Sequence, residues 1–204
     1  MNNIQHLLLA AGASKRMGKP KQLLPWAKET LIEHQILTLL ETNHKVSVVL
    51  GAYADKISEV IKKFPIAIYS NKDWENGMGT SISYGLKMLL DKNPKVDAVL
   101  ISLTDQPLIK SIHFKKMLDL FQPGNNEIIV SFSDKGWSGS PVLFDNVYFK
   151  ELLKLKGDEG AKRIVQKYRN SVKLIDGGKS LTDLDTHQVY LKLLDKYMND
   201  NPYN

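Results

Sequence analysis

Strand-length apolar runs and helix-period segments alternate along almost the whole chain, and that alternation leaves few folds open. Residues 4–10, 45–51, 66–70 and 97–103 read as strands, the first and last of them solidly apolar. Between them, 30–41, 55–64 and 81–90 have helical spacing, as in Leu31, Ile32, Ile36, Leu39 and Leu40. Parallel strands need a crossover, and a helix supplies one while burying its apolar stripe on the sheet. The pattern predicts an α/β fold, a three-layer α/β/α Rossmann-like arrangement around a mixed, mainly parallel sheet. Farther along, 112–121 reads as a helix, and 127–132 and 141–144 as two close strands that suggest an antiparallel excursion. Helices at 145–155 and 161–168, a strand at 171–176 and an amphipathic helix at 187–198 complete the pattern. No repeat, low-complexity stretch or linker interrupts it, so residues 1–198 are expected to form one domain. The end, "NDNPYN" (199–204), is expected to be a disordered tail.

In such sheets ligands bind outside the carboxyl ends of the strands, so the chemistry should sit where strands end. Several classes drop out first. The chain has no cysteine, which removes disulfides, thiolate metal sites and cysteine nucleophiles. No apolar run approaches the ~20 residues of a membrane span, and no signal-peptide pattern is present, so a cytoplasmic location is expected. The five histidines lack metal-ligand spacing. A net charge of +6 fits a lysine-rich surface or attraction to a polyanion. No arginine-rich tract or aromatic and basic interleaving marks a nucleic-acid module, so no nucleic-acid partner is expected.

Positive charge concentrates in one place. The first apolar run stops at Gly12, and Lys15, Arg16, Lys19 and Lys21 follow within seven positions. The P-loop pattern fails, because Gly12 and Gly18 are one residue too far apart and Pro20 stands where a hydroxyl is needed. The dinucleotide fingerprint fails too, with Ser14 at its second glycine. An ordinary strand-to-helix turn with solvated lysines is one reading. The other is a phosphate grip. Gly12 allows close backbone approach, N–H groups of a small-residue turn form an anion-binding concavity, Arg16 offers a fork and Lys21 a point charge.

The stretch "LAAGASKRMGKPKQLL" (9–24) closely resembles LAAGxSxRMGxPKxLL, the signature of pyrophosphorylase-like nucleotidyltransferases. It is most similar to the molybdenum cofactor cytidylyltransferases and their MobA-like relatives. The resemblance implies a nucleotidyltransferase fold whose first loop, with Ala10, Ala11, Gly12 and Ser14, binds the nucleotide. It also implies that Arg16 and Lys21 stabilise charge during transfer. Ala11 matches the cytidylyl branch, "LAAG", rather than the guanylyl "LAGG", which implies CTP over GTP.

Four later segments carry the resemblance onward. "NKDWENGMGTSI" (71–82) resembles NxxWxxGMGxSI, so Gly77, Gly79 and Ser81 are candidates for the base and ribose side. Thr80 is expected to cap the next helix, and Trp74 to be a core anchor. Asp105 follows a buried strand, where a carboxylate can hold Mg²⁺, although turn aspartates are common. The family has a metal-binding aspartate there, in "DQP" or "DMP". "GWSGSPVLF" (136–144) resembles the acceptor-side GHPVLF or GNPVLF, departing from it with Ser140 before the proline. "LKGDEGAKRIV" (155–165) resembles LxGDxGAR near the pterin end, which makes Asp158 and Lys162 acceptor-side candidates; a capped helix start is the alternative. In "LTDLDTHQVY" (181–190), similar to DIDTPEDY, Asp183 and Asp185 share one face, and Asp185 fits a second metal ligand.

The implied reaction moves CMP from CTP to the terminal phosphate of molybdopterin already carrying molybdenum, with Mg²⁺, and releases pyrophosphate. A molybdenum hydroxylase would then receive the product. Transfer to a sugar or polyol phosphate is the neighbouring alternative. A non-catalytic nucleotide-binding chaperone is another, and the intact Arg16, Lys21, Asp105 and Asp185 argue against it.

Overall fold

The computed structural model describes residues 2–201 apart from Lys135 and Trp137. Strand β1 (Ile4–Ala10) is buried from end to end. A two-stranded ribbon follows, β2 (Pro25–Trp26) and β3 (Glu29–Thr30), leading into α1 (Leu31–Leu40). Next come β4 (Lys45–Leu50), α2 (Ala54–Ile61), β5 (Ala67–Ser70), α3 (Met78–Lys92) and β6 (Ala98–Leu103). Helix α4 (Ser111–Leu120) precedes β7 (Ile128–Phe132) and β8 (Ser138–Asp145). The chain then runs through α5 (Phe149–Leu152), α6 (Lys162–Lys167), β9 (Val172–Asp176) and α7 (His187–Asp200). Residues 202–204 of the expected tail lie outside the described residues, and α7 already takes in Asn199 and Asp200.

Seven strands form the main sheet in the order β5-β4-β1-β6-β8-β7-β9. β1 pairs in parallel with β4 and β6, β4 with β5, and β7 with β9. Only β8 runs the other way, antiparallel to both β6 and β7. The expected mixed, mainly parallel sheet is therefore present. The reversal has a functional consequence: β8 presents its first residues, Ser138 to Ser140, at the edge where the other strands end.

Alternate residues of each central strand serve opposite faces. Leu8, Val48 and Leu100 pack with Ile32 and Ile36 of α1, Ile57 of α2 and Phe114 of α4. Leu7, Leu9, Val49 and Ile101 pack with Ile82 and Leu86 of α3, Leu152 of α5 and Ile164 of α6. A third cluster joins Trp26 of the ribbon to Leu31, Leu184, Tyr190 and Leu193. The Tyr190 hydroxyl donates to the Pro25 carbonyl at 2.7 Å, which ties α7 to the ribbon.

Three local differences from expectation have simple causes. Helix α3 begins at Met78, because Gly77 at φ 100° is its N-cap. Thr80 therefore sits inside the first turn, its hydroxyl 2.8 Å from the Gly77 carbonyl and 3.0 Å from that of Asp73, and does not cap the helix. The helix expected over 145–155 is a 3₁₀ turn at Asn146–Tyr148 followed by the four residues of α5. Its apolar side chains Tyr148, Phe149 and Leu152 are buried all the same, so burial rather than helix length produces the pattern. None of the helices is long and apolar enough to cross a membrane, among the described residues.

One core residue sets a pH dependence. His6 is fully buried with Nε2 2.8 Å from the Thr42 hydroxyl oxygen. Burial, with His44 close by, pushes its pKa down to about 3. Between the ordinary histidine value and that one, the unfolded chain binds the proton and the folded chain does not. The contribution of His6 to stability is thus complete above about pH 6.5 and declines toward pH 3, by an amount on the order of a few kcal/mol. Urea unfolding from about pH 7 down to about pH 4 should show this decline, and His6→Gln should make it shallower, with His34 and His113, also held low by burial, supplying the remainder.

Candidate active site

The loop after β1 is shaped from inside. Gln22 is almost fully buried, and its Nε2 donates to the carbonyls of Ala10 (2.9 Å) and Gly12 (2.8 Å). The Ala11 carbonyl accepts from the Ala52 N–H at 2.9 Å. Ser14 adopts the left-handed conformation, φ 54°, and its hydroxyl oxygen accepts from the Lys21 N–H at 3.1 Å. A left-handed residue ahead of a right-handed turn turns successive N–H groups to one side, a concavity suited to anions.

That loop delivers Lys21 and Arg16 to two carboxylates from other segments. Lys21 Nζ lies 2.5 Å from Asp105 Oδ2 and 3.8 Å from Asp185 Oδ1. Arg16, mostly exposed, reaches Asp185 Oδ2 at 3.2 Å. The last segment is stitched beside Asp105 by two bonds. The Leu184 N–H donates to the Asp105 carbonyl at 2.7 Å, and Gln106 Nε2 to Asp183 Oδ1 at 2.9 Å. Burial, then the nearby Asp105 charge, pushes the Asp183 carboxyl above its ordinary value, against the Gln106 hydrogen bond. Asp105 Oδ1 is buried and has no hydrogen-bond partner among the described residues. Among the described residues no three His, Asp or Glu side chains gather on a metal-sized site. Two carboxylates do share one ammonium, and their hard oxygens suit a divalent cation whose other ligands are phosphate and water.

The second loop is anchored by Asn71. Its buried amide donates to Thr80 Oγ1 at 3.2 Å and to Ser81 Oγ at 3.1 Å, and its Oδ1 accepts from the Asp73 N–H at 3.0 Å. Ser81 is thereby buried and engaged inside the loop. Gly77 and Gly79 meet the backbone of Lys156 and Gly157 and the Asp158 carboxylate: a Cβ on Gly77 would lie 2.3 Å from the Gly157 carbonyl carbon, and one on Gly79 2.8 Å from the Lys156 oxygen. Their lack of side chains serves that contact. Trp74, expected in the core, is only half-buried and packs over Gly51.

Gly77→Ala should therefore destabilise the protein by roughly 2–4 kcal/mol, through a positive φ and a main-chain collision. Denaturant unfolding measures this, and a cost under about 1 kcal/mol would mean that the 157 backbone yields freely.

Beside this contact lies a pocket of about 230 Å³. Its floor is apolar, from Leu9, Ile82, Ile101, Val130, Val142 and Val165, and its polar lining includes Ser140, Asp158 and Lys162. The three predicted acceptor-side residues thus line one cavity. A larger cavity of about 540 Å³, lined by residues of α1, α4 and α7, contains none of the predicted site residues. Volume alone would favour it, but Ser140, Asp158 and Lys162 line the smaller pocket.

Three buried amides, Gln22, Gln106 and Asn71, organise these loops, and the sequence reading gave none of them a role. Asn71 and Gln106 stand just after strand ends, and that position was the available signal; Gln22, twelve residues beyond β1 in a 3₁₀ turn, carries none.

The family described as MobA-like NTP transferase domain matches residues 6–172. A protein named nicotine blue oxidoreductase, from Paenarthrobacter nicotinovorans, is 33% identical over 197 residues, covering 92% of this chain and 95% of its own. The Escherichia coli molybdenum cofactor cytidylyltransferase is 21% identical over 198 residues, covering 97% and 98%. In structure, Rv0371c of Mycobacterium tuberculosis is similar with a TM-score of 0.82 at 25% identity, covering 95% of this chain and 98% of that one. A manganese complex of Rv0371c is also similar, with a TM-score of 0.78 at 24% identity and the same coverage.

Proposed function

The chain belongs to the MobA-like NTP transferase family and is a nucleotidyltransferase, and we propose that it moves CMP from CTP to the terminal phosphate of molybdenum-bearing molybdopterin. Pyrophosphate is the other product. The observation that carries this reading is Lys21 held between Asp105 and Asp185, with Arg16 on the same acid, at the mouth of a small-residue loop.

The roles follow from charge. The N–H groups of the loop that begins at Ala10, Ala11 and Gly12 and turns at Ser14 face the triphosphate. Lys21 and Arg16 hold its non-bridging oxygens as charge builds on the leaving pyrophosphate. The acceptor's phosphate oxygen attacks the α-phosphorus directly, so no covalent enzyme intermediate is needed, and catalysis is positioning plus electrostatics. Asp105 and Asp185 would hold the divalent metal used in this family, here Mg²⁺. When bound, it neutralises phosphate charge. The buried, unpartnered Asp105 Oδ1 is the atom most in need of such a partner. Gly77 and Gly79 keep main chain close to the base and ribose side, with Ser81 bracing that loop. Lys162 meets the acceptor's phosphate, Ser140 and Asp158 border it, and the apolar floor suits a flat ring better than a polyol.

The oxidoreductase name of the 33% identical relative is the main competing indication. A cationic loop with serine at the second glycine position of the dinucleotide fingerprint favours transfer. We place the reaction in the cytoplasm, with a molybdenum hydroxylase as recipient of the product.

The test is pyrophosphate release with each nucleotide, Mg²⁺ and molybdenum-bearing molybdopterin. A site built on hydrogen bonds rejects the wrong base because buried groups are left unpaired. CTP should therefore exceed GTP and ATP in kcat/KM by at least about tenfold, roughly 1.4 kcal/mol. Equal use of GTP and CTP would defeat the cytidylyl assignment, and no release with any nucleotide would defeat the acceptor assignment.

A further inference from the structure

We propose that Gln22 is a positioning residue for the triphosphate. Its buried amide ties off carbonyls of the loop after β1, so that the loop offers a bound polyphosphate hydrogen-bond donors. The inference rests on reading that loop as a phosphate site.

Every non-proline residue in a turn brings one donor and one acceptor. A turn left to itself would therefore show carbonyl oxygens as well as N–H groups to an anion, and the oxygens repel it. Here five of the six carbonyls from Ala10 to Lys15 are engaged on the protein side, that of Ala13 being the exception among the described residues. Gln22 Nε2 takes the carbonyls of Ala10 and Gly12, and the Ala52 N–H takes that of Ala11. The Met17 and Gly18 N–H groups take those of Ser14 and Lys15, at 2.8 and 3.4 Å. The donors remain: among the described residues, the N–H groups of Gly12, Ala13, Ser14 and Lys15 have no acceptor.

The amide can work only one way round. Two carbonyls need two N–H bonds, which the –NH₂ end alone supplies. The other end, Oε1, lies 3.5 Å from the Ser14 hydroxyl, which in turn accepts from the Lys21 N–H. One side chain thus braces the loop from the end of β1 to the lysine that faces Asp105. Lysine, arginine or a carboxylate would introduce a charge beneath the phosphate site. Glutamine supplies the same reach with none.

The probe is inorganic tripolyphosphate, which carries the charge of the nucleotide without its base, titrated into the full chain by calorimetry in the presence of EDTA. Gln22→Glu keeps the shape but sets an acceptor and a negative charge against two carbonyls. Its affinity for tripolyphosphate should fall by at least about tenfold, and Gln22→Met should fall less, in the same direction. A merely structural residue would lower the unfolding temperature and leave the affinity of the folded protein unchanged, and that result in both variants overturns the proposal. Wild-type protein that fails to bind tripolyphosphate overturns the phosphate reading of the loop itself, so the two failures are distinguishable. A second measurement needs no variant: the Gln22 side-chain amide protons should exchange slowly with solvent, and rapid exchange would overturn the clamp.

Discussion

Asp105→Asn is expected to reduce nucleotidyl transfer by about a thousandfold or more while the protein stays folded. The substitution keeps the shape and removes one negative charge. Two functions of the carboxylate disappear together. It can no longer offer a charged oxygen to a divalent metal, and it no longer balances Lys21 at 2.5 Å. Folding should survive because the ammonium keeps Asp185 at 3.8 Å and the Leu184 carbonyl at 3.5 Å. The backbone bond from the Leu184 N–H to the Asp105 carbonyl does not involve the side chain at all. Single-turnover pyrophosphate release, circular dichroism and Mn²⁺ affinity would be measured together. Near-normal turnover at ordinary magnesium would end the assignment of Asp105 as a metal ligand.

Lys21→Ala should lower kcat by about 10²–10³, with a smaller change in the KM for nucleotide. A group that meets charge as it develops acts on the transition state more than on the bound substrate. Lys21→Arg should not restore the rate, because a planar guanidinium is larger than the ammonium now fitted between Asp105 and Asp185. Arg16, exposed and paired, among the described residues, only with Asp185, should matter less. A variant in which only KM rises would make Lys21 a binding group.

How much of this was legible in sequence depends on the kind of contact. β1 and β6 are buried on both faces, so they stand out as continuous apolar runs, and their alternation with helices gave the sheet. The β2–β3 ribbon has two residues per strand, too few for any period to register. The α5 region misled because Tyr148, Phe149 and Leu152 are buried without a long helix around them. In the site, Arg16, Lys21 and Asp105 announce themselves as charges where strands end. Their link to Asp185 depends on the chain returning far later, which no local pattern encodes. The amides of Gln22, Gln106 and Asn71 were opaque for a further reason. Each bonds to a loop carbonyl, carboxylate or hydroxyl that only the folded chain brings within reach.

The meeting of Gly77 and Gly79 with the backbone of Lys156 and Gly157 bears on how this protein could be retuned. That seam is mostly main chain against main chain, with the Asp158 carboxylate as its one side chain near Gly77, so the side-chain alphabet has little purchase on it. Any residue larger than glycine pries the seam apart instead of tuning it. The pocket beside it is different, because Ile82, Val130, Val142 and Val165 enter its floor as side chains that can be exchanged for others of similar bulk. A lineage, or an engineer, seeking a different acceptor has its freedom in the floor and almost none in the seam.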